Sequence, residues 1–175
     1  MDNQQERLGF DKAWLAGIME GEGSFVITKS RRPNNKGYNM HITPNCCLTN
    51  TDALLIKECE RILNLYELAY KTYFVKRRFN HYKDQWKIHI FGMDRTIKFI
   101  SWIISELRGE KKLLAEKILN FCVMRKSKTK GFFHGIRYSE EEINLVNEIL
   151  NIQKPGILND YTSDTKKVKI ESEHT

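Results

Sequence analysis

The stretch from Trp14 to Phe25, WLAGIMEGEGSF, decides how the rest of the chain is read. Ala13, Gly17 and Gly21 recur every four residues, so on a helix they share one face, with Ala16 beside them. A face with so little side chain lets a second helix backbone approach closely. Trp14, Leu15, Ile18 and Met19 form its apolar flanks, Gly21 and Gly23 end it, and Ser24 to about Ser30 reads as a strand. Glu22 is left just past the helix end, where unpaired carbonyls already carry partial negative charge. A carboxylate there is unfavourable unless a cation is shared with it, and a divalent metal supplies one.

Leu15 to Phe25 resembles, position by position, the motif of the LAGLIDADG homing endonucleases, with glutamates at both acidic positions, Glu20 and Glu22. The resemblance covers residues 11–153, strongest at the motif and weaker over the sheet. It implies an α+β fold of order αββαββα with a curved, antiparallel, four-stranded DNA-binding sheet packed on helices. It implies metal-dependent, site-specific cleavage of double-stranded DNA by an intron-encoded protein that promotes intron mobility. Mg²⁺ is the implied cofactor, with Mn²⁺ able to substitute, held by Glu22 and the main chain of Gly21. Lys111, with Lys112 close behind, matches the basic residue that the family places near the scissile phosphates.

Only one copy of the motif is present, so its small-residue face calls for a second subunit. A homodimer with Ala13, Ala16, Gly17, Glu20 and Gly21 at the seam is the simplest solution, and its two-fold axis predicts a near-palindromic target. Glu20 is expected to bond across that seam or cap the partner helix.

At 175 residues the chain suits one domain, and its +7 formal charge and pI near 9.2 point to a polyanionic partner. Acidic residues are absent from Gly23 to Thr51 and from Ala69 to Lys83, where strands are expected. No apolar run approaches the length of a membrane span, and the four cysteines form neither a CxxC pair nor a zinc-finger spacing. The expectation is a soluble intracellular protein with reduced thiols and no membrane partner.

Residues 1–10 read as a flexible lead-in, with Asp11 as N-cap of the motif helix. Arg31 to Gly37 reads as a basic loop. Tyr38 to Thr49 alternates, placing Asn39, His41, Thr43 and Asn45 on a polar face able to read base edges, and Pro44 marks a bend or an exposed edge. Asp52 caps a helix extending to about Asn64. Strands over Ala69–Arg78 and Gln85–Phe91 then form a second hairpin that mixes Lys71, Lys76, Arg77, Arg78, Lys83 and Lys87 with Tyr73 and other aromatics. His89 faces outward beside Lys87. Together with Lys29, Arg31, Arg32 and Lys36 on the first hairpin, these are the candidate DNA-binding residues.

A helix begins at Met93–Asp94 and breaks at Arg108–Gly109, another covers Glu110–Met124, and Arg125–Gly135 reads as a basic connector. Ser139 with Glu142 forms a capping box for a last helix, Glu140 to about Gln153, and residues 154–175 read as a polar, disordered tail. Two alternatives keep the same fold: an intron maturase that binds intron RNA, and a DNA-binding regulator that does not cut. The acidic Glu22 counts against the regulator.

Overall fold

The computed structural model describes residues 2–34, 37–77, 81, 83–129 and 136–153. Helix α1 (Asp2–Gly21) leads into the hairpin β1 (Gly23–Asn34) and β2 (Gly37–Asn50), then α2 (Ala53–Leu65), β3 (Lys71–Val75) and β4 (Gln85–Phe91). Helices α3 (Met93–Ile103), α4 (Gly109–Thr129) and α5 (Glu140–Gln153) complete the order, so the expected αββαββα core is present with two further helices. The four strands form one antiparallel sheet in the order β1-β2-β4-β3.

Period-2 alternation sorts the strand residues onto two faces. Phe25, Ile27, Ile42, Cys46, Leu48, Ile88 and Ile90 are buried on one face, against Leu15, Ala16 and Met19 of α1 and the apolar stripes of α2 to α5. The opposite face alternates with these residues and carries mostly polar side chains. Helix α4 packs against α3, α5 and β1, which makes it the central helix of the layer.

Caps and turns follow the sequence at several ends. Asp52 Oδ1 accepts from Leu54 and Leu55 N–H at 2.8 and 3.3 Å. Ser139 and Glu142 close the capping box, with Glu142 Oε2 accepting the Ser139 N–H at 2.7 Å.

Elsewhere the boundaries differ. Helix α1 begins at Asp2, so Asp11 is no cap: it is a buried mid-helix residue that accepts from Arg61 at 2.8 Å and from the Tyr66 hydroxyl at 3.1 Å. Arg31 and Arg32 lie in β1, paired with Met40 and Asn39, and not in a loop. Strand β3 stops at Val75, leaving Lys76 and Arg77 beyond it. Helix α3 follows Gly92, with no side-chain cap from Asp94.

Pro44 breaks nothing: β2 is continuous through it, paired with Ile27 of β1. The Ile42 N–H points away from β1, to the Tyr138 hydroxyl at 3.2 Å, and pairing with β4 begins only at Asn45. Main-chain nitrogens two apart on a strand point the same way, so the N–H that Pro44 lacks falls where no strand is present to receive it.

The expected connector at Arg125 is instead the last turns of α4. The Arg125 guanidinium is buried, 4.1 Å from the Tyr138 ring centroid and 3.5 Å from the fully buried Glu142 carboxylate, and it donates to the carbonyls of Ile136 and Arg137. Residues 154–175 lie outside the described residues.

Candidate active site and nucleic-acid interface

Glu22 occupies the turn between α1 and β1, exposed, with its N–H bonded to Ile18 O at 2.8 Å. The turn is tight because Gly23 sits against the last helical turn: a Cβ there would lie 2.6 Å from Met19 Sδ and 2.7 Å from Met19 O. Neither Gly21 nor Gly23 has a positive φ, so Gly23 is needed for close approach and not for left-handed backbone.

Helix α4 holds this end of α1 in place. Lys111 Nζ donates to Met19 O at 3.0 Å, Glu20 O at 2.5 Å and Gly23 O at 2.8 Å. In return Glu20 Oε1 accepts the Arg108 main-chain N–H at 2.7 Å, at the start of α4. Glu20 therefore caps a helix of its own chain.

Along α1, Ala13, Gly17 and Gly21 are exposed, and a Cβ at Gly17 or Gly21 would meet nothing within 4 Å. Phe10 is 73% exposed and Trp14 39% exposed beside them, so the open face is apolar as well as small. Ala16 does not share it: at 2% exposure it packs into the core, next to Leu15 and three residues before Met19 on the buried stripe of α1.

The register collects one polar sheet face. Ser24, Val26, Thr28 and Ser30 of β1 oppose Cys47, Asn45, Thr43 and His41 of β2. Asn45, Cys47 and Thr49 in turn oppose Phe91, His89 and Lys87 of β4, and Lys71, Tyr73 and Val75 of β3 oppose His89, Lys87 and Gln85. No acidic residue lies on this face among those positions.

The candidates His41, Thr43, Asn45, Lys71, Tyr73, Lys87 and His89 are thus brought together. Lys29 is not: it alternates with Phe25 and Ile27 on the helix side and reaches Asn147 of α5 at 3.4 Å. Arg31, exposed and opposite Met40, shares that side. Lys76, Arg77 and Lys83 are exposed in the β3–β4 connection, where Asp84 Oδ1 accepts the Arg77 N–H at 2.9 Å. Lys36 and Arg78, and the side chains of Arg32 and Asn39, lie outside what is described. Ser24, Thr28, Ser30 and Phe91 join the face without having been singled out; the inward Phe25 and Ile27 are the signal that places the three hydroxyls outward.

The face is not uniform. Its β1–β2 half carries hydroxyls and amides, with Thr43 Oγ1 3.0 Å from His41 Nδ1. Its β4–β3 half is cationic and aromatic: Lys71 Nζ lies 5.5 Å from the Phe91 ring centroid, and the His89 ring is 5.1 Å from Phe91 and 6.2 Å from Tyr73. Burial, then the neighbouring Lys87 charge, lowers the His89 pKa below the ordinary histidine value. His89 Nε2 and Asn45 Oδ1 are buried and have no hydrogen-bond partner among the described residues.

Among the described residues no three metal-ligating side chains converge, so one chain supplies a single carboxylate, Glu22, with the adjoining carbonyls. An oxygen-coordinated divalent ion of this kind takes its further ligands from substrate phosphate and water. All four cysteines are free; burial pushes the Cys59 and Cys122 thiols up to about 12, so they belong to the core. No helix among the described residues is long and apolar enough to cross a membrane.

No family model and no curated protein matches the chain. Solved structures do. The homing endonuclease I-CvuI, in complex with the I-CreI target, superposes with a TM-score of 0.61 at 15% identity, over 83% of each chain. The LAGLIDADG homing endonuclease I-LtrWI, bound to target DNA, gives 0.61 at 14% identity over 96% of this chain, which spans only 53% of that protein. The group I intron-encoded I-CeuI, complexed with DNA, gives 0.54 at 17% identity. The chain that carries the motif at Leu15–Phe25 therefore has the LAGLIDADG homing-endonuclease fold.

Proposed function

We propose that this protein is a homodimeric, divalent-metal-dependent endonuclease that cuts double-stranded DNA at a long, near-palindromic site, and that it is an intron-encoded agent of intron mobility. The observation that carries this reading is the junction of α1 with β1. It sets one exposed carboxylate, Glu22, two residues before Ser24, the first residue of a sheet face free of acidic groups.

The roles follow from that arrangement. Lys71 and Lys87 neutralise phosphates, while His41 and Thr43 present donors and acceptors to base edges, beside the Asn45 amide and the His89 ring. Docking of the open Ala13–Gly17–Gly21 faces of two copies about a two-fold axis brings the two Glu22 carboxylates to the centre of the joined sheets. Glu22 and the Gly21 carbonyl of each copy would hold Mg²⁺, or Mn²⁺ in its place. Such an ion, when bound with DNA phosphate, lowers the pKa of a coordinated water and offsets charge on the leaving oxygen.

Structures with the same fold fit the reading: I-CvuI was crystallised with DNA in Mg²⁺ and in Ca²⁺. The deciding experiment is selection of cleaved sites from a randomised duplex library in Mg²⁺, comparing wild type with Glu22→Gln. Cutting of a near-palindrome by wild type, and binding without cutting by the variant, supports the proposal. Binding of DNA or of intron RNA with no cutting in any divalent metal replaces it with the regulator or the maturase.

A further inference from the structure

We propose that the DNA-binding surface continues past the sheet onto helix α3, where Arg95 contacts the DNA backbone beside Lys71 and the Phe91 ring positions both cations. The proposal rests on the DNA-binding part of the reading above.

Phe91 closes β4 on the polar face, opposite Asn45. Strand β3 begins at Lys71, which pairs with His89, so among the described residues no β3 residue stands opposite Phe91 and the sheet steps down there. Gly92, at φ +91°, turns the chain out of β4 through a conformation that favours glycine, and Arg95 follows in the first turn of α3. The Arg95 guanidinium carbon lies 5.4 Å from the Phe91 ring centroid, and Lys71 Nζ lies 5.5 Å from the same centroid.

Two like charges drawn to one ring repel each other. A carboxylate between them would offset this, but among the described residues neither Lys71 nor Arg95 forms an ion pair. Asp94, next to Arg95 in sequence, is held by Lys126 Nζ at 2.5 Å. Both cations are exposed, and an aromatic face holds a cation while leaving its outer N–H groups for another partner. A phosphate accepts from guanidinium and ammonium alike, and so relieves the repulsion. The step in the sheet lies at the margin of the polar face, where backbone contacts set register and bases are not read. Lys98, one turn further along α3, is placed differently: its Nζ donates to the Glu67 carbonyl at 2.7 Å.

The test uses the full-length protein without divalent metal, so that no cutting intervenes. It reads binding of a randomised-sequence DNA duplex by fluorescence anisotropy across NaCl concentrations. Arg95→Met and Lys71→Met should each lower the slope of log affinity against log salt by about 1. Arg95→Lys should keep the slope, and Lys98→Met should change neither slope nor affinity. Phe91→Leu should weaken binding at every salt concentration without changing the slope, because both charges remain while the ring that holds them is gone. Added to Arg95→Met, it should cost less than it does in wild type, the sign of a shared contact.

An Arg95→Met slope equal to that of wild type overturns the proposal and leaves Arg95 as packing on Phe91. Should Arg95→Met melt early, Arg95→Gln carries the same comparison. Loss of base preference at one position of the sites selected by wild type, with the slope unchanged, also overturns it and gives Arg95 to a base edge. A wild type that binds duplex with steep salt dependence but never cuts in Mg²⁺ removes the nuclease reading and leaves these slopes decisive. A wild type without salt-dependent duplex binding removes both.

Discussion

Glu20 Oε1 and the main-chain nitrogen of Arg108 lie 2.7 Å apart, joining the C-terminal end of the first helix to the N-terminal end of the fourth across 88 residues of sequence. A carboxylate at a helix N-terminus satisfies an orphan N–H and meets the positive end of the macrodipole. The acidic residue that reads in sequence as part of a catalytic motif is thereby occupied in structure.

Glu20→Ala should therefore destabilise each chain by about 1 kcal/mol, the usual worth of an N-terminal cap. Glu20→Gln, which keeps an acceptor, should cost less. Urea unfolding at several protein concentrations checks this. A loss that appears only as weakened association, with no change in the stability of one chain, would return Glu20 to a dimer seam.

Lys29 and Lys87 separate charge from placement. Lys87 lies on the open sheet face opposite Thr49 and Tyr73, whereas Lys29 reaches Asn147 on the helix side. Lys87→Ala should weaken DNA binding and lower the slope of log affinity against log salt by about 1. Lys29→Ala should leave that slope unchanged. Equal slopes for the two variants would place both lysines on phosphate and contradict the register.

Much of this architecture was legible because it rests on local rules. The alternation from Met40 to Thr49, the Ser139–Glu142 box and the β4 pattern each pair a period or a cap with one outcome. Lys29 and Arg31 fall on the helix side because the period that Phe25 and Ile27 set governs their direction, and charge does not. Asp11 and Arg125 depart from their sequence pattern for another reason. Asp11 is N-cap-like in sequence, and Arg125 looks like a solvated cation. Their partners Arg61 and Glu142 are 50 and 17 residues away, and only tertiary packing joins them. The same holds for Lys111, whose three acceptors are carbonyls and leave no mark in the sequence.

Arg125 and Glu142 form a buried charge pair, so removing either partner leaves an uncompensated charge in the core. Arg125→Met should cost about 3–5 kcal/mol, and Lys126→Met, on the exposed side of the same helix, about 0–1. Chemical denaturation measures both. If Arg125→Met instead leaves stability intact and lowers the salt slope of DNA binding, Arg125 serves phosphate and not the core.

His89 makes stability depend on pH in a defined direction. Its folded pKa is lowered, first by burial and then by Lys87, so the unfolded chain takes up a proton more readily. Its contribution is fully present above the ordinary histidine value and is lost as pH falls below it toward the folded pKa. Wild type should therefore lose stability between pH 7 and pH 5 relative to His89→Gln. NMR titration of the ring in the folded protein should give a midpoint below that of the unfolded chain; a raised pKa there would reverse the sign.

Gly17 and Gly21 give opposite signs for one chain and for two. Within a chain, a Cβ at either position meets nothing within 4 Å, and both lie in α1. Replacing a helical glycine with alanine should thus stabilise the isolated subunit by roughly 0.5–1 kcal/mol. If this face packs against its copy, the added methyls must push the two backbones apart, and Gly17→Leu should do so more strongly than Gly17→Ala. The expected pattern is a higher melting temperature at concentrations where the subunits are separate, with a weaker dimer by sedimentation equilibrium. A dimer unaffected by Gly17→Leu would move the interface away from α1, and with it the pairing of the two Glu22 carboxylates.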